Sequence, residues 1–313
     1  LFYKKKFKLK PMPELPEVTT TVSGINKVLK GLSIYDVWTD WEKMIHHRPF
    51  SSFRKKINGK KFVKAERRAK NILIHLTDDV TILIHMKMTG HIMYGYYLKN
   101  QNRWAPHPSE TNKALSDPYN RFLHVVFSLS NNKHLVFCDT RKFGKIDLIQ
   151  TSKLALSPHL SHLGPEPLAK TFDLKIFRER LLRRPKSKIK TVLMDQTIIS
   201  GIGNIYSDEI LWSSGVHPEE KVGVLTEKII RKIFSVIKPL LLKGINLGGD
   251  STSDYRNIHG KRGRFQGKHE AYRRTGEKCN RHRCKGIILR KVVNGRSVHF
   301  CSLHQIFASK IKA

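Results

Sequence analysis

The stretch NILIHLTDDVTILIHM, residues 71–86, decides the fold class of the first half of this 313-residue chain. Two apolar, β-rich runs, 71–76 and 80–86, flank the polar segment Thr77-Asp78-Asp79. Such runs separated by turn residues predict a β-hairpin. Further strand-like runs lie at 124–129, 134–137 and 145–148, each bounded by Asn, Asp, Gly or Ser. Residues 60–148 are therefore predicted to be mainly β-structure.

The apolar spacing changes after a proline-rich segment. Residues 151–170 contain Ser-Pro at 157–158 and Gly-Pro-Glu-Pro at 164–167, which predicts a linker between two domains. Beyond it, apolar residues recur at helical spacing, as from Ile229 through Ile233 to Ile237. Residues 249–267 are rich in Gly, Ser, Asp and Arg, which predicts a long mobile loop. The chain is thus predicted to be an α+β, multidomain protein.

The charge of the chain indicates a polyanionic partner. Lys and Arg number 59 against 25 Asp and Glu, a formal net charge of +34. The hydrophobic content of 39% is enough for true cores.

No uncharged apolar run is long enough to span a membrane. The first ten residues contain five lysines and no apolar core of a secretory signal, so we expect a cytoplasmic protein.

The last cysteines have the spacing of a metal site. The pattern is Cys279-x4-Cys284 followed by Cys301-x2-His304, in a chain without a secretory signal. Two pairs of soft ligands joined by a short hairpin predict one structural Zn²⁺ ion with no open coordination position. The alternative is a set of buried thiols beside a surface histidine.

The segment Met12-Pro13-Glu14-Leu15-Pro16-Glu17 supports two interpretations. On spacing alone it is a proline-led helix start, with Glu17 favoured by the helix dipole. If Met12 is the initiator and is removed, however, Pro13 becomes a free secondary amine. Such an amine is substantially unprotonated near neutral pH, so it could act as a nucleophile.

Four further segments are candidates for a functional role, each of which must be compared with a purely structural one. The basic cluster at 60–70 is either a phosphate-facing edge or a solvated face. Met88 shares strand parity with buried positions, which favours the core. Arg141 and Phe143 lie near a turn, where an exposed aromatic could enter a base stack, although their position alone favours the end of a strand. The backbone amides of residues 201–206 and the side chain of Asn204 could hold a phosphate at a helix N-terminus.

Taken in order, these segments resemble the bacterial formamidopyrimidine-DNA glycosylases, over residues 13–305. The resemblance rests on seven ordered markers: PELPEV at 13–18, RRAK at 67–70, MTG at 88–90, D-x-R-x-F-G at 139–144, LGPEPL at 163–168, DQ at 195–196 with G-x-GNIY at 201–206, and GRS at 295–297. It implies a base excision repair enzyme with an N-terminal β-sandwich, a helix-two-turn-helix domain and a zinc finger. Duplex DNA containing oxidised bases would lie in the cleft between the halves.

The resemblance also implies a division of the chain. The expected segments are an N-terminal extension (1–12), a catalytic β-sandwich (13–150), a linker (151–170), a helix-two-turn-helix domain (171–248), a lesion-recognition loop (249–270) and a zinc finger (271–306). We expect a monomer, because one lesion needs one cleft.

Carried over by resemblance, the catalytic residues are Pro13, Glu14 and Lys70. The Pro13 nitrogen matches the nucleophile that attacks C1′ of the damaged nucleoside, expels the base and forms an iminium. Successive β and δ eliminations then cut the strand. Glu14 matches the catalytic carboxylate, which suits proton transfer at the sugar. Lys70 matches the lysine that grips phosphate near the lesion.

The resemblance assigns five residues to DNA binding. Phe143 would wedge at the kinked step, Arg141 would address the orphaned partner base, and Met88 would fill the vacated space. Asn204 and Arg296 match phosphate clamps. Two features favour oxidised purines over oxidised pyrimidines: the glycine-rich loop, and Leu15, where the related endonuclease VIII group typically has glycine.

Two departures from the family pattern qualify these expectations. An acylated Pro13 nitrogen has no usable lone pair, so we expect translation to begin at Met12. In the finger, the family usually has two Cys-x2-Cys pairs, and the register around Arg296 favours Cys284 over His282 as the second ligand. Two alternatives stay open: a same-fold glycosylase for oxidised pyrimidines, and a non-catalytic basic zinc protein that binds nucleic acid.

Overall fold

The structure of the protein is a computed structural model that describes residues 12–101 and 103–307. The expected N-terminal extension, residues 1–12, lies outside the described residues apart from Met12. Among the described helices, none combines the length and apolarity needed to cross a membrane.

The first half is a two-layer β-structure with helices at its edge, which confirms the predicted β-sandwich. Its elements are α1 (Leu15–Leu29), β1 (Ile34–Thr39), α2 (Phe50–Ile57), β2 (Phe62–Arg68), β3 (Asn71–Leu76), β4 (Val80–His85), β5 (Gly90–Gly95), β6 (Tyr97–Asn100), β7 (Arg103–Pro106), β8 (Leu123–Leu129), β9 (His134–Asp139) and β10 (Lys145–Gln150). Two antiparallel sheets have the orders β1-β8-β9-β5 and β10-β4-β3-β2, while β6 and β7 form a separate hairpin.

The predicted hairpin of residues 71–86 forms β3 and β4. Leu76 pairs with Val80, so Thr77, Asp78 and Asp79 make the connection. Asp78 and Asp79 have φ values of 60° and 59°, in the left-handed region that aspartate tolerates better than most residues. All six residues of β3 are buried, because one sheet face covers the sandwich core and the other faces the linker. The local sequence therefore specifies the turn as well as the strands.

The second half is helical and has its own core. Its elements are α3 (Leu174–Leu182), α4 (Ile189–Met194), α5 (Asn204–Ser214), α6 (Glu227–Asn246), β11 (Ile288–Val293) and β12 (Arg296–Cys301). Ile230, Ile233 and Ile237 of α6 are buried at the helical spacing seen in the sequence. Leu15 of α1 belongs to this second core rather than to the sandwich core, so the start of the chain is anchored in the opposite half.

A fully buried ion pair connects the helices to the C-terminal hairpin. Lys190 Nζ of α4 lies 2.6 Å from Asp208 Oδ1 of α5. The other carboxylate oxygen accepts the backbone N–H of His299 on β12 at 3.0 Å and contacts His299 Nδ1 at 2.9 Å. Because a buried charge is tolerated only with partners, this network fixes the position of the β11–β12 hairpin against α5.

The glycine-rich segment 249–267 differs from the predicted mobile loop. It contains no strand and only the start of a short 3₁₀ turn, Phe265–Lys268, yet Tyr255 and Ile258 are only 2% and 3% exposed. Ile258 joins the sandwich core, and its side chain lies directly over Gly24 of α1. Asn112 Nδ2 also donates to the carbonyl of His259 at 2.9 Å. The segment is thus packed across the two halves.

Candidate functional site

Pro13 and Glu14 lie where the two halves meet. Pro13 is buried, and the N–H of Leu15 donates to the carbonyl of Gly201 at 3.0 Å. The Glu14 carboxylate accepts the backbone N–H groups of Gly203 at 2.7 Å, Ile205 at 2.8 Å and Tyr206 at 3.3 Å. The first residues of α1 are therefore held by the N-terminus of α5.

This arrangement corrects the sequence-based view of residues 201–206. The sequence alone allows these amides to hold a phosphate, because the first N–H groups of a helix have no partner within the helix. Three of these amides instead donate to Glu14, whose negative charge complements the positive end of the α5 dipole. No local pattern in the sequence indicates this contact, because its partners are about 190 positions apart.

Lys70 shares the buried site with Glu14. It is 5% exposed, and a Cβ placed on Gly203 would lie 2.6 Å from both Lys70 Nζ and Glu14 Oε1. Burial lowers the pKa of Lys70, and the charge of Glu14 opposes that shift. Burial raises the pKa of Glu14, while Lys70 and the amides of α5 oppose it. The Glu14 carboxyl group, the Lys70 amine and the Cα of Gly203 thus lie together beside Pro13.

Glu17 completes the support of this site. Its Oε2 accepts the N–H of Glu14 at 2.8 Å, and its Oε1 accepts the Tyr206 hydroxyl at 2.9 Å and the N–H of Asp250 at 2.6 Å. Burial, with the nearby charges of Glu14 and Asp250, raises the pKa of Glu17 to about 8. The sequence indicated only a helix-start role for Glu17; it also bridges to the second half.

We expect Gly203→Ala to destabilise the protein, because its methyl group would overlap Glu14 and Lys70. Overpacking of this kind costs about 1–3 kcal/mol in the free energy of unfolding. Gly267→Ala is the matched control, since a Cβ there has nothing within 4 Å. Urea denaturation should show a lower midpoint for Gly203→Ala alone. Equal midpoints for the two variants would mean that the site can relax around a methyl group.

Met88, Arg141 and Phe143 lie together at two neighbouring turns. Arg141 Nη1 is 3.3 Å from Met88 Sδ, and the guanidinium carbon is 4.4 Å from the centre of the Phe143 ring. Phe143 is 47% exposed. Met88 follows β4 in a turn and is only half-buried, so the core position favoured by strand parity alone is wrong.

Asp139, at the end of β9, orders these turns. Its Oδ1 accepts the N–H of Arg141 at 3.2 Å and the Thr89 hydroxyl, and its Oδ2 accepts the N–H of Gly144 at 2.7 Å. The side chain is fully buried. The sequence motif contained this aspartate, but its role as the common support of both turns became visible only in the structure.

The two expected phosphate clamps lie near the same site. Asn204 is the first residue of α5, and its buried Oδ1 has no hydrogen-bond partner among the described residues. Arg296 is exposed at the start of β12, and its charge lowers the pKa of Lys70. The structure therefore brings Asn204, Arg296 and Lys70 towards the Glu14 site.

The basic cluster at 60–70 is only partly available to a ligand. Arg67 and Arg68 form ion pairs with Glu166 of the linker at 2.6 Å and 2.9 Å. Although burial raises the pKa of Glu166, Arg67 and the N–H of Ala69 lower it below its ordinary value. These two arginines attach the linker to the sandwich. This role differs from both interpretations of the sequence, a phosphate-facing edge and a solvated face.

Cys279, Cys284, Cys301 and His304 converge at the end of the chain. Cys284 Sγ is 3.5 Å from Cys301 Sγ and 3.7 Å from His304 Nδ1, and Cys279 Sγ is 3.4 Å from the same nitrogen. The four donor atoms all lie within 4.8 Å of one another, so they could hold a metal ion. Among the described residues, His282 is not part of this group.

Comparison with known proteins gives consistent similarities across the chain. The family model of the formamidopyrimidine-DNA glycosylase N-terminal domain matches residues 12–146, and that of its H2TH domain matches residues 163–256. The formamidopyrimidine-DNA glycosylase of Pelotomaculum thermopropionicum is 37% identical over 93% of this chain and 98% of its own. That of Ligilactobacillus salivarius is 36% identical over 95% and 100%.

Solved structures of similar shape contain DNA. Lactococcus lactis Fpg in complex with abasic-site DNA has a TM-score of 0.80 and 32% identity, covering 93% of this chain and 99% of that one. A variant of the same protein in complex with Fapy-dG-containing DNA also has a TM-score of 0.80 and 32% identity, with coverages of 94% and 99%.

Proposed function

The chain belongs to the formamidopyrimidine-DNA glycosylase family, and from this premise we propose that it excises oxidised purines from duplex DNA and cleaves the resulting abasic site. The observation that carries the proposal is similarity over nearly the whole chain to proteins of that name, including one bound to Fapy-dG-containing DNA. The net charge of +34 supports a DNA partner.

We propose that the Pro13 nitrogen is the nucleophile in the protein whose chain begins at Pro13. Its lone pair attacks C1′, the glycosidic bond breaks, and the base leaves with the bonding electrons and gains a proton. The N–H proton lost by the attacking amine balances the proton gained by the base; the C1′–O4′ bond then breaks, O4′ gains a proton, and an iminium forms between C1′ and the nitrogen. The iminium acidifies C2′–H, so loss of that proton expels the 3′ phosphate, and a second elimination expels the 5′ phosphate.

Glu14 and Lys70 would support this chemistry from positions next to the nucleophile. Glu14 follows Pro13 directly and is held by three amides of α5, so its position relative to the amine is fixed. In this proposal its carboxyl group moves protons at the opened sugar, and burial raises its pKa towards the range useful for such transfer. Lys70 would bind the phosphate beside the lesion.

The trio of Met88, Arg141 and Phe143 would hold the duplex open. Extruding a base costs a few kcal/mol of lost stacking and pairing, which inserted side chains offset. Phe143 is the exposed wedge, Arg141 faces the unpaired base, and Met88 fills the gap. Asn204 and Arg296 would hold phosphates on the same strand.

Excision assays test this proposal against its alternatives. A chain beginning at Pro13 should cleave duplexes with 8-oxoguanine opposite cytosine faster than duplexes with thymine glycol. Borohydride should trap the protein covalently on the lesion strand. Preference for thymine glycol would favour the pyrimidine enzyme, and binding without a trapped adduct would favour the non-catalytic protein.

We expect Phe143→Ala to slow excision by about tenfold, because about 1–3 kcal/mol of base stacking is lost. Stability should change little, since the ring is half exposed. Tyr35→Ala, which removes a similarly exposed ring from β1, is the matched control. Single-turnover rates on an 8-oxoguanine duplex measure the effect; equal rates for both variants would contradict the wedge.

We propose that the cysteine cluster holds one structural Zn²⁺ ion. Three thiolates and one imidazole are a standard zinc donor set, and three of their separations, 3.4–3.7 Å, fit ligand atoms at about 2.0–2.3 Å from one ion. His304 Nε2 contacts the Trp212 carbonyl at 3.1 Å, which leaves Nδ1 facing the cluster. Bound zinc would supply only structural support, holding the β11–β12 hairpin that carries Arg296.

The finger register has its own test. Cys284→Ser should reduce bound zinc well below one ion per chain, because it removes one of the four converging donors. His282→Ala should leave the zinc content unchanged. Elemental analysis of both purified variants and the parent measures this. Equal loss in both variants would contradict the choice of Cys284.

A further inference from the structure

A second group of metal-binding side chains lies outside both sites described so far. We propose that His47, Asp147 and His159 bind one divalent transition-metal ion, such as Zn²⁺ or Co²⁺, through two imidazoles and one carboxylate. Asp147 and His159 line a cavity of about 270 Å³ that also contacts Met12 and Lys70. None of the three residues takes part in the proposed reaction or in the cysteine cluster.

The donor atoms already converge. His47 Nδ1 lies 2.8 Å and His159 Nε2 lies 3.4 Å from the same atom, Asp147 Oδ2, and all three donors lie within 4.8 Å of one another. Ligands about 2.0–2.1 Å from one ion are separated by roughly 2.9–3.4 Å at octahedral or tetrahedral angles. Both distances to Asp147 therefore match edges of a coordination polyhedron.

Three separate chain segments fix these positions. Asp147 lies on β10 between Ile146 and Leu148, which point into the sandwich core, so its carboxylate points away from that core. Its Oδ1 accepts the N–H of Leu148 at 2.8 Å, leaving Oδ2 for the histidines. The carboxylate is only 10% exposed.

The loop that carries His47 is attached to β10. The N–H of His46 donates to the carbonyl of Ile146 at 2.8 Å, and Arg48 Nη2 donates to the carbonyl of Leu148 at 2.6 Å. His47 between them has φ = 59°, in the left-handed region that few non-glycine residues adopt. Its backbone is thus held on both sides of the residue that supplies a donor.

The turn that carries His159 is anchored through its neighbour. Leu160 is 8% exposed and packs with Leu73 and Leu83 on the outer face of the second sheet. The N–H of His159 donates to Ser157 Oγ at 3.3 Å. The imidazole therefore reaches Asp147 from a packed turn, not from a free end.

The donor set indicates the class of metal. Imidazole suits zinc, copper, iron and nickel, and a site with two histidines and one carboxylate leaves coordination positions open to water. Lys87 and Lys145 line the same cavity, so their charges oppose cation binding. We therefore expect an ion bound more weakly than at the cysteine cluster. The competing interpretation is a plain ion pair between Asp147 and protonated histidines, without a metal.

Cobalt titration separates these interpretations. Full-length protein that holds one Zn²⁺ ion per chain should take up one Co²⁺ ion in equilibrium dialysis, with weak d–d absorption and no thiolate-to-cobalt band. His47→Ala, Asp147→Asn and His159→Ala should each weaken that binding at least tenfold. His162→Ala is the matched control, since His162 lies in the same turn, lines the same cavity and, among the described residues, has its side-chain hydrogen bond to the Pro158 carbonyl at 2.9 Å and not to Asp147.

Each other outcome overturns the proposal. No cobalt bound to the parent protein means an ion pair only. Equal affinity in the parent and the three variants places the ion elsewhere, and a thiolate-to-cobalt band places it at the cysteine cluster. Because His47 is 62% exposed, its alanine variant should fold like the parent, which thermal unfolding checks.

Discussion

A chain that begins at Pro13 should form a borohydride-trapped adduct with an 8-oxoguanine duplex, and the same chain extended by one glycine should not. The extension converts the Pro13 secondary amine into an amide, whose nitrogen lone pair is delocalised into the carbonyl group. Loss of an essential nucleophile commonly costs a factor of 1000 or more in rate. We therefore expect strand cleavage in single-turnover assays to fall by at least about 1000-fold.

The comparison needs only two matched preparations. Expression from Met12 gives Pro13 after methionine removal, and insertion of glycine after Met12 gives a Gly-Pro terminus; intact mass verifies each. DNA affinity should be similar in the two, because the charge is unchanged. If the glycine-extended protein cleaves as fast as the other, another residue must supply the nucleophile.

Glu14→Gln should have the next largest effect. The carboxylate accepts three backbone N–H groups at the N-terminus of α5, from Gly203, Ile205 and Tyr206, and a carboxamide would direct its NH₂ group at one or more of these donors. It also cannot transfer protons at the sugar. Loss of general acid–base catalysis costs about 10²–10⁴-fold, so we expect excision to slow by at least about 100-fold.

Glu17→Gln is the matched control for Glu14→Gln. It alters a buried carboxyl group one turn away and likewise turns a carboxamide towards backbone N–H donors, those of Glu14 and Asp250, at a residue with no proposed role in proton transfer. We expect its excision rate to change much less. Single-turnover rates and melting temperatures of both variants measure the difference. A Glu14→Gln rate within threefold of the parent would contradict a role for Glu14 in proton transfer.

The elements that the sequence predicted are those with strong local periodicity. The hairpin 71–86 has two apolar runs and aspartates that tolerate the turn, and α6 has isoleucines at helical spacing. Helix α2 was missed, because Phe50–Ile57 is short and contains three basic residues. The strands β5 to β7 were missed because glycine, asparagine and proline interrupt their patterns.

The residues of the candidate site can be predicted from the sequence, but the contacts between them cannot. The motif resemblance selected Pro13, Glu14, Lys70 and the trio at 88, 141 and 143, and the structure brings members of each set together. The contact of Glu14 with α5 and the pairing of Arg67 with Glu166 are tertiary. Contacts between residues so far apart in the sequence produce no local pattern, so they become visible only in the folded chain.

The clamp on Glu14 has a consequence for the order of events during synthesis. The partners of its carboxylate lie 189 to 192 positions later in the chain. Glu14 is therefore synthesised well before its partners and has none of them until the start of α5 has been made. A nascent first half can form its sandwich, since domains generally fold as units from the N-terminal end. The Glu14 carboxylate becomes positioned only after the second half emerges, so under the proposed mechanism an incomplete polypeptide has no assembled site.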